Sequence, residues 1–394
     1  MKSSRTRILV FSTLYPNSVK PGHGIFVETR LKHLLASGEV EAKVVAPVPW
    51  FPFAGENFGK YAVYAKVPKQ ENRENINIFH PRYPVLPKIG MSLAPISMAA
   101  ACMPILNQLI KSGRDFDLID AHYFYPDGVA AAFLARQLGK PFVITARGTD
   151  INLIPEYRIP RKMILWAASQ AAGLITVSSA LKARLVELGV DPEKITVLRN
   201  GVDLERFSPM EKAAQRSELN LPSPLLLSVG NLIESKGHDL VIRSLSLMPE
   251  MHLAIIGEGP ERESLQILSS SLGVENRVTF LGSLPQNELP RYYSAADALV
   301  LASSREGWAN VLLEAMACGT PAIATRVGGN PEVIASPDAG MLIDERTPEA
   351  IAEAANKLFL EYPEEGATRR YAERFSWHDT TDGQLKLFSK ILGR

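Results

Sequence analysis

Short apolar runs recur through this chain at 8–11, 42–46, 118–121, 142–145 and 174–177, with amphipathic helical stretches such as 24–37 and 129–138 between them. A run of four or five apolar residues flanked by helix reads as a strand buried on both faces. Strand–helix–strand repetition of that kind builds a parallel, doubly wound sheet. The rhythm then restarts, with runs at 225–229, 252–256, 278–281, 298–301 and 322–325. Between the two series lies LRNGVDLERF at 198–207, whose Asn200-Gly201 pair signals a turn, followed by a polar segment to Pro224. The chain has 394 residues, long for one core and natural for two. The pattern therefore predicts an α/β protein of two Rossmann-like domains with a hinge near 200–215. Ligands of such sheets bind beyond the carboxyl ends of the strands, so the strand-to-helix loops are where chemistry is expected.

Charge divides along the same line. Residues 1–200 hold 25 Lys and Arg against 15 Asp and Glu; the remainder holds 18 against 27. A basic first half suits an anionic surface or substrate, although uneven composition alone gives the same count. Cys102 and Cys318 form no CxxC pattern and no disulfide framework, which fits a reducing compartment. The basic start MKSSRTR precedes only four apolar residues, too few for the core of a signal peptide, so 8–11 reads as the first strand. No charge falls between Lys88 and Lys111, a length sufficient to cross a bilayer, but Pro95, Pro104, Ser92, Ser97, Asn107 and Gln108 interrupt it. A buried helix is the expectation there.

Two loops of the second half carry the strongest signals. SSREGWANVLLEAMACGTP at 303–321 follows a strand. Asn310 reads as an N-cap, 311–318 as helix, and Gly319 with Pro321 as its stop. The N–H groups at the start of such a helix attract phosphate. Glu306 precedes the helix and Glu314 lies in its first turn or just beyond. Two carboxylates beside an anion site make sense if the ligand also carries hydroxyls, as a sugar nucleotide does. LLSVGNLIESKG at 226–237 is the other loop: Gly230 allows close approach to the backbone, and Lys236 supplies a point positive charge for a diphosphate. Neither the GxxxxGK[ST] nor the GxGxxG spacing is present, which argues against a P-loop and against a nicotinamide site.

These blocks, together with TPAIATRVGGNPE at 320–332, resemble the donor-binding domain of retaining glycosyltransferases of family 4, which have the GT-B fold: two Rossmann-like doubly wound parallel-sheet domains facing across a cleft. Glu306 and Glu314 match its EX7E motif. The EGWANV form is similar to bacterial polysaccharide-assembly members of the teichuronic-acid type. The resemblance implies an acceptor-binding domain over 1–205, a nucleotide-sugar domain over 206–375, and a terminal helix over 376–394 packing back on the first domain. It further implies that Glu306 contacts the donor sugar and Glu314 the ribose hydroxyls. Backbone N–H groups of Asn310, Val311 and Leu312 would hold the diphosphate, and Lys236 would neutralise it. Relatives usually place Arg after the glycine, where this chain has Asn231, which brings hydrogen-bond donors but no charge. In the first half PGHGIFV at 21–27 resembles the family's glycine loop, with Gly24 letting the backbone approach the donor. AHYFYP at 121–126 matches the loop whose His, here His122, faces the donor sugar. TARGTD at 145–150 has Arg147 where relatives often have His; its fork suits an acceptor phosphate. Asp150 either orients Arg147 or caps the following turn.

The expected activity is retaining transfer of a hexosyl or N-acetylhexosaminyl group from a UDP- or GDP-sugar to a glycan or polyprenyl-diphosphate-linked acceptor in cell-surface polysaccharide assembly. No cofactor, metal or nucleic acid is expected. Asp115 and Asp117 spell DxD but precede a strand and read as a turn. A sugar-nucleotide epimerase or a non-catalytic partner subunit of the same fold are the alternatives. A cytoplasmic protein, peripheral at the inner face of the cell membrane, is expected. Trp50, Phe51 and Phe53, with Lys60, Lys66 and Lys69, form either an interfacial patch on an anionic membrane or interior packing.

Overall fold

The computed structural model describes residues 5–50, 60–85 and 90–394. It divides into two compact units: one takes residues up to Arg199 together with His378–Arg394, the other Asn200–Trp377.

Among the described residues, ten strands belong to the first unit: β1 (Thr6–Phe11), β2 (Val40–Val45), β3 (Val48–Trp50), β4 (Gln70–Arg73), β5 (Ile76–Phe79), β6 (Arg82–Pro84), β7 (Leu118–His122), β8 (Phe142–Ala146), β9 (Gly173–Thr176) and β10 (Ile195–Val197). Eight make one sheet in the order β10-β9-β8-β7-β1-β2-β5-β4; β3 and β6 pair separately. All neighbours in the large sheet are parallel except β4 with β5. β7 and β8 are buried along their whole length, as strands covered by helices on both faces must be. Chain order reverses between β1 and β7, so the carboxyl ends of these two strands flank a switch point. The core packs Ile8, Val10, Val44, Ile78, Leu118 and Val143 against the helix Ile25–Ala36.

Phe388 of the terminal helix Trp377–Leu392 is 1% exposed in that same core. Burying such a ring stabilises by roughly 1.5–3 kcal/mol, so the chain's last helix is a structural part of the first unit.

The second unit has β11 (Leu225–Val229), β12 (His252–Ile256), β13 (Val278–Gly282), β14 (Ala298–Leu301), β15 (Ala322–Thr325) and β16 (Gly340–Ile343), all parallel, in the order β13-β12-β11-β14-β15-β16. Here the reversal lies between β11 and β14. Leu226, Leu253, Ile255, Val300 and Ile323 form the centre of its core, with Val241, Ile242, Ile351 and Leu358 from the covering helices. The segment entering this unit runs against the segment leaving it: Val202 N–H donates to Phe375 O at 2.9 Å. A Cβ on Gly201 would stand 2.5 Å from the backbone of Ser376 and Trp377.

One expectation needs correction. The stretch read as a buried helix is the helix Gly90–Lys111, but only one face is buried, through Ala94, Met98, Cys102, Leu106 and Leu109. Met91, Leu93 and Ile96 stand 40–49% exposed. It is also the one helix among the described residues long and apolar enough to cross a membrane. Of the aromatic patch, Trp50 is exposed; Phe51 and Phe53 lie outside the described residues.

Candidate active site

The switch point of the second sheet brings together the two loops singled out above. The loop after β11 turns through Gly230 and Asn231, makes a helical turn at Glu234–Lys236, and ends on left-handed Gly237 at φ 70°. His238 fixes its start: Nδ1 lies 2.9 Å from Ser228 Oγ and Nε2 3.3 Å from the Asn231 carbonyl. Burial pushes this imidazole down to about 4, so it is neutral at ordinary pH. Asn231 itself is exposed.

The loop after β14 is laced to the first. Ser304 N–H donates to Ser235 O at 2.8 Å. Arg346 donates from Nε to Ala302 O at 2.7 Å and from Nη2 to Glu234 O at 3.1 Å, bridging both loops. The backbone of Gly237 lies so close to Ala302 O that a Cβ would approach to 2.2 Å. From the far side Thr325 Oγ1 donates to Ser303 O at 2.6 Å, and a Cβ on Gly328 would come within 1.9 Å of Glu306 O. The paired glycines thus seat the backbone that carries Glu306. The outcome is one ion pair: Lys236 Nζ lies 2.5 Å from Glu306 Oε1, with side-chain exposures of 25% and 10%.

The helix that follows is Asn310–Ala317, anchored by buried Leu312, Leu313, Ala315 and Met316. Ala309, not Asn310, holds its N-cap position, and no side chain caps it. Asn310 is already helical, and its Oδ1 accepts from Asn200 Nδ2 at 3.2 Å, which takes the side chain away from the capping role. The Leu312 N–H donates to Ala309 O at 3.1 Å, so it does not belong with Asn310 and Val311 as a free phosphate donor. Glu314 is the fifth helical residue, on the second turn. Its Oε2 accepts from the Tyr293 hydroxyl at 2.8 Å, and burial pushes its carboxyl up to about 7. Trp308, 7% exposed, packs near Phe375 with ring centroids 6.2 Å apart.

In the first unit the switch point is formed by the loop after β1 and the end of β7, joined by Ser12 Oγ donating to His122 O at 3.0 Å. Gly24 adopts φ 66°, and the space a side chain would need is filled by the Leu14 carbonyl, 2.3–2.4 Å from an added Cβ. Glycine is required there by internal packing. His122, expected to face the donor sugar, is 1% exposed, and both of its ring nitrogens have protein partners. Arg147 Nη2 lies 2.7 Å from Nδ1 and Asp120 Oδ2 3.3 Å from Nε2. A guanidinium only donates, so Nδ1 accepts and Nε2 carries the proton. Burial and Arg147 lower the His122 pKa against the pull of Asp120. The half-buried Arg147 rests on the Phe26 ring at 5.1 Å.

Of the two roles open for Asp150, the geometry is that of the cap. Its buried carboxylate accepts from the backbone N–H groups of Phe124 (2.7 Å), Gly148 (2.7 Å) and Arg147 (3.1 Å), capping the turn. Asp115 pairs with Lys140 at 2.9 Å and Asp117 with Arg7 at 2.8 Å. No group of three metal-ligating side chains occurs among the described residues. Sequence reasoning missed Arg346, Tyr293, Asp120, Arg30 and Gln384, none of which lies in a recognisable motif.

Comparison with known proteins places this geometry. Residues 29–206 match the model of Glycosyltransferase Family 4 and residues 209–375 that of Glycosyl transferases group 1. The chain is 30% identical over 362 residues to the "Putative teichuronic acid biosynthesis glycosyltransferase TuaC" of Bacillus subtilis, covering 89% of this chain and 88% of that protein. It is 29% identical over 327 residues to the D-inositol 3-phosphate glycosyltransferase of Corynebacterium urealyticum, covering 75% and 77%. Among solved structures, sucrose-phosphate synthase from Thermosynechococcus elongatus superposes with a TM-score of 0.80 at 20% identity over 99% of both chains. Anabaena Alr3699/HepE in complex with UDP gives 0.72 at 18% identity over 98% and 100%. At those identities the two structures speak for the fold, which is GT-B.

Proposed function

The chain belongs to the family 4 glycosyltransferases, and from that premise we propose that it moves a hexosyl or N-acetylhexosaminyl group from a UDP- or GDP-sugar, with retention and without a metal, to a glycan or polyprenyl-diphosphate-linked acceptor in polysaccharide assembly. The observation that carries the reading is the Lys236–Glu306 pair across the switch point of the second sheet. A lone diphosphate site would need only the cation. A carboxylate at 2.5 Å from it gives the same site an acceptor for sugar hydroxyls. On donor binding, Lys236 neutralises the diphosphate with help from the Asn310 and Val311 N–H groups, while Glu306 turns to the sugar and Glu314 to the ribose. Stabilising the departing diphosphate by preorganised charge is the main catalytic burden. The name of the Bacillus subtilis relative supports the polysaccharide assignment, and the Anabaena complex with UDP supports the donor class.

On the first unit, Arg147 would meet an anionic group of the acceptor. The exposed residues Met91, Leu93 and Ile96 stand on one helix; Tyr157 and Ile159, beside exposed Arg158, Arg161 and Lys162, stand at the start of another, Arg158–Gln170. Tyr125 Oη joins the two, touching Met91 O and lying 4.0 Å from Met163 Sδ. An apolar surface edged with cations suits an anionic leaflet, and this patch supports peripheral association at the inner membrane face.

The test is a donor screen by thermal shift, then mass analysis of products with acceptor. Lys236→Ala and Glu306→Ala should each remove transfer while the fold survives. Full activity in either folded variant, or an epimerised sugar formed from donor alone, overturns the proposal.

A further inference from the structure

Behind His122 lies a chain of buried polar groups that ends on the last helix. Asp120 and His122 are two apart on β7 and so project from the same face of the strand. Asp120 Oδ2 accepts from His122 Nε2 at 3.3 Å and from Gln384 Nε2 at 2.8 Å. Gln384 Oε1 accepts from Arg30 Nε at 3.0 Å, and Arg30 Nη1 donates to Leu198 O at 3.3 Å. All four side chains belong to residues no more than 2% exposed.

The chemistry fixes the amide's direction. Its donor end must face the carboxylate and its acceptor end the guanidinium, because the flipped amide sets oxygen against oxygen and N–H against N–H. A buried carboxylate facing one ring nitrogen holds an imidazole in one tautomer, here Nε2–H against Asp120 Oδ2. That tautomer leaves Nδ1 as the acceptor Arg147 requires. Removing one end of a buried network leaves the others underpaired.

We infer that Gln384 is a positioning residue for glycosyl transfer: it orients Asp120, which sets the His122 tautomer, which holds the Arg147 guanidinium at the carboxyl end of β8. This rests on the reading above that Arg147 meets an anionic group of the acceptor. The charged groups facing His122 are Asp120 on its own strand, Arg147 from the β8 loop and Arg30 from the helix Ile25–Ala36. Gln384→Glu adds a carboxylate beside Asp120 and so favours protonated His122. Protonated His122 cannot accept from Arg147.

The experiment uses the full chain. Nitrogen-15 NMR, with His122 assigned through His122→Gln, should show the neutral Nε2–H tautomer in the wild type. In Gln384→Glu the His122 titration should move upward by about one unit or more, and the acid limb of kcat/KM for the acceptor should move with it. Gln384→Leu should lower kcat/KM for the acceptor about tenfold while KM for the donor stays put, a split that general destabilisation does not produce. The inference is overturned by an Nδ1–H tautomer in the wild type, or by folded Gln384 variants that leave the His122 signals and the acid limb unchanged. If no donor supports transfer, the functional reading fails, yet the NMR arm still decides the role of Gln384.

Discussion

Replacing Glu314 by Gln tests the second turn of the helix Asn310–Ala317 in both stability and binding. Burial raises the Glu314 carboxyl from its ordinary 4.5 to about 7. The folded chain therefore holds this proton more tightly than the unfolded one. The contribution of Glu314 to stability is fully present below about pH 4.5 and is lost as pH rises through about 7. Each unit corresponds to about 1.4 kcal/mol, which gives roughly 3 kcal/mol for the whole shift; Glu314 as a residue is only half-buried, and the water that reaches it reduces this to about 1–2 kcal/mol. Gln does not titrate, and its oxygen can still accept from the Tyr293 hydroxyl, 2.8 Å away in the wild type. Glu314→Gln should therefore gain about 1–2 kcal/mol relative to wild type between pH 5 and pH 8.5, measured by urea denaturation at both values. The same change weakens the proposed ribose contact. A charged acceptor is worth about 1 kcal/mol more than a neutral one, so donor KM should rise roughly fivefold. A stability difference that is the same at both pH values refutes the buried-carboxylate reasoning, whatever happens to KM.

Arg346→Ala removes the donor shared by the Ala302 and Glu234 carbonyls; it should cost about 1–3 kcal/mol and raise donor KM, and Arg346→Lys should not restore the bridge because one ammonium does not reproduce the fork. Donor KM unchanged in folded Arg346→Ala would show that the two loops hold their places without it. The apolar and basic patch predicts flotation with vesicles containing anionic lipid, reduced by Ile159→Ser combined with Arg161→Glu; no flotation of the wild type counts against peripheral association.

The doubly wound plan is legible because each central strand is a continuous apolar run between helices. The strands at 225–229, 252–256, 298–301 and 322–325 carry the expected bounds. The strands that escape are short or marginal: β10 has three residues, and β16 starts on Gly340 at the sheet edge. Lys236 and Glu306 can be singled out because both follow apolar runs at a switch point. Their ion pair, 70 residues apart in sequence, has no local signature. Asn310 shows the opposite failure. Local chemistry made it a cap, but a tertiary partner, Asn200, claims its side chain. For Asp150 the sequence leaves two roles open, orienting Arg147 or capping the turn, and only the folded chain decides: three backbone amides take its carboxylate. Gln384 joins Asp120 across 264 residues, a distance at which no spacing rule operates.

The docking of Phe388 and Gln384 within the first unit bears on the order in which the chain is made. The ribosome completes Asn200–Trp377 before it delivers the helix that finishes the first unit's core. At about 5–20 residues per second that interval lasts roughly ten to forty seconds. Throughout it the nascent first unit lacks Phe388 from its core and Gln384 from the Asp120 carboxylate, while the second unit, continuous in sequence, can fold from its own residues. Assembly therefore ends where synthesis began, at β1 and its neighbours, and arrest of translation before residue 384 would leave the His122 side of the molecule unfinished.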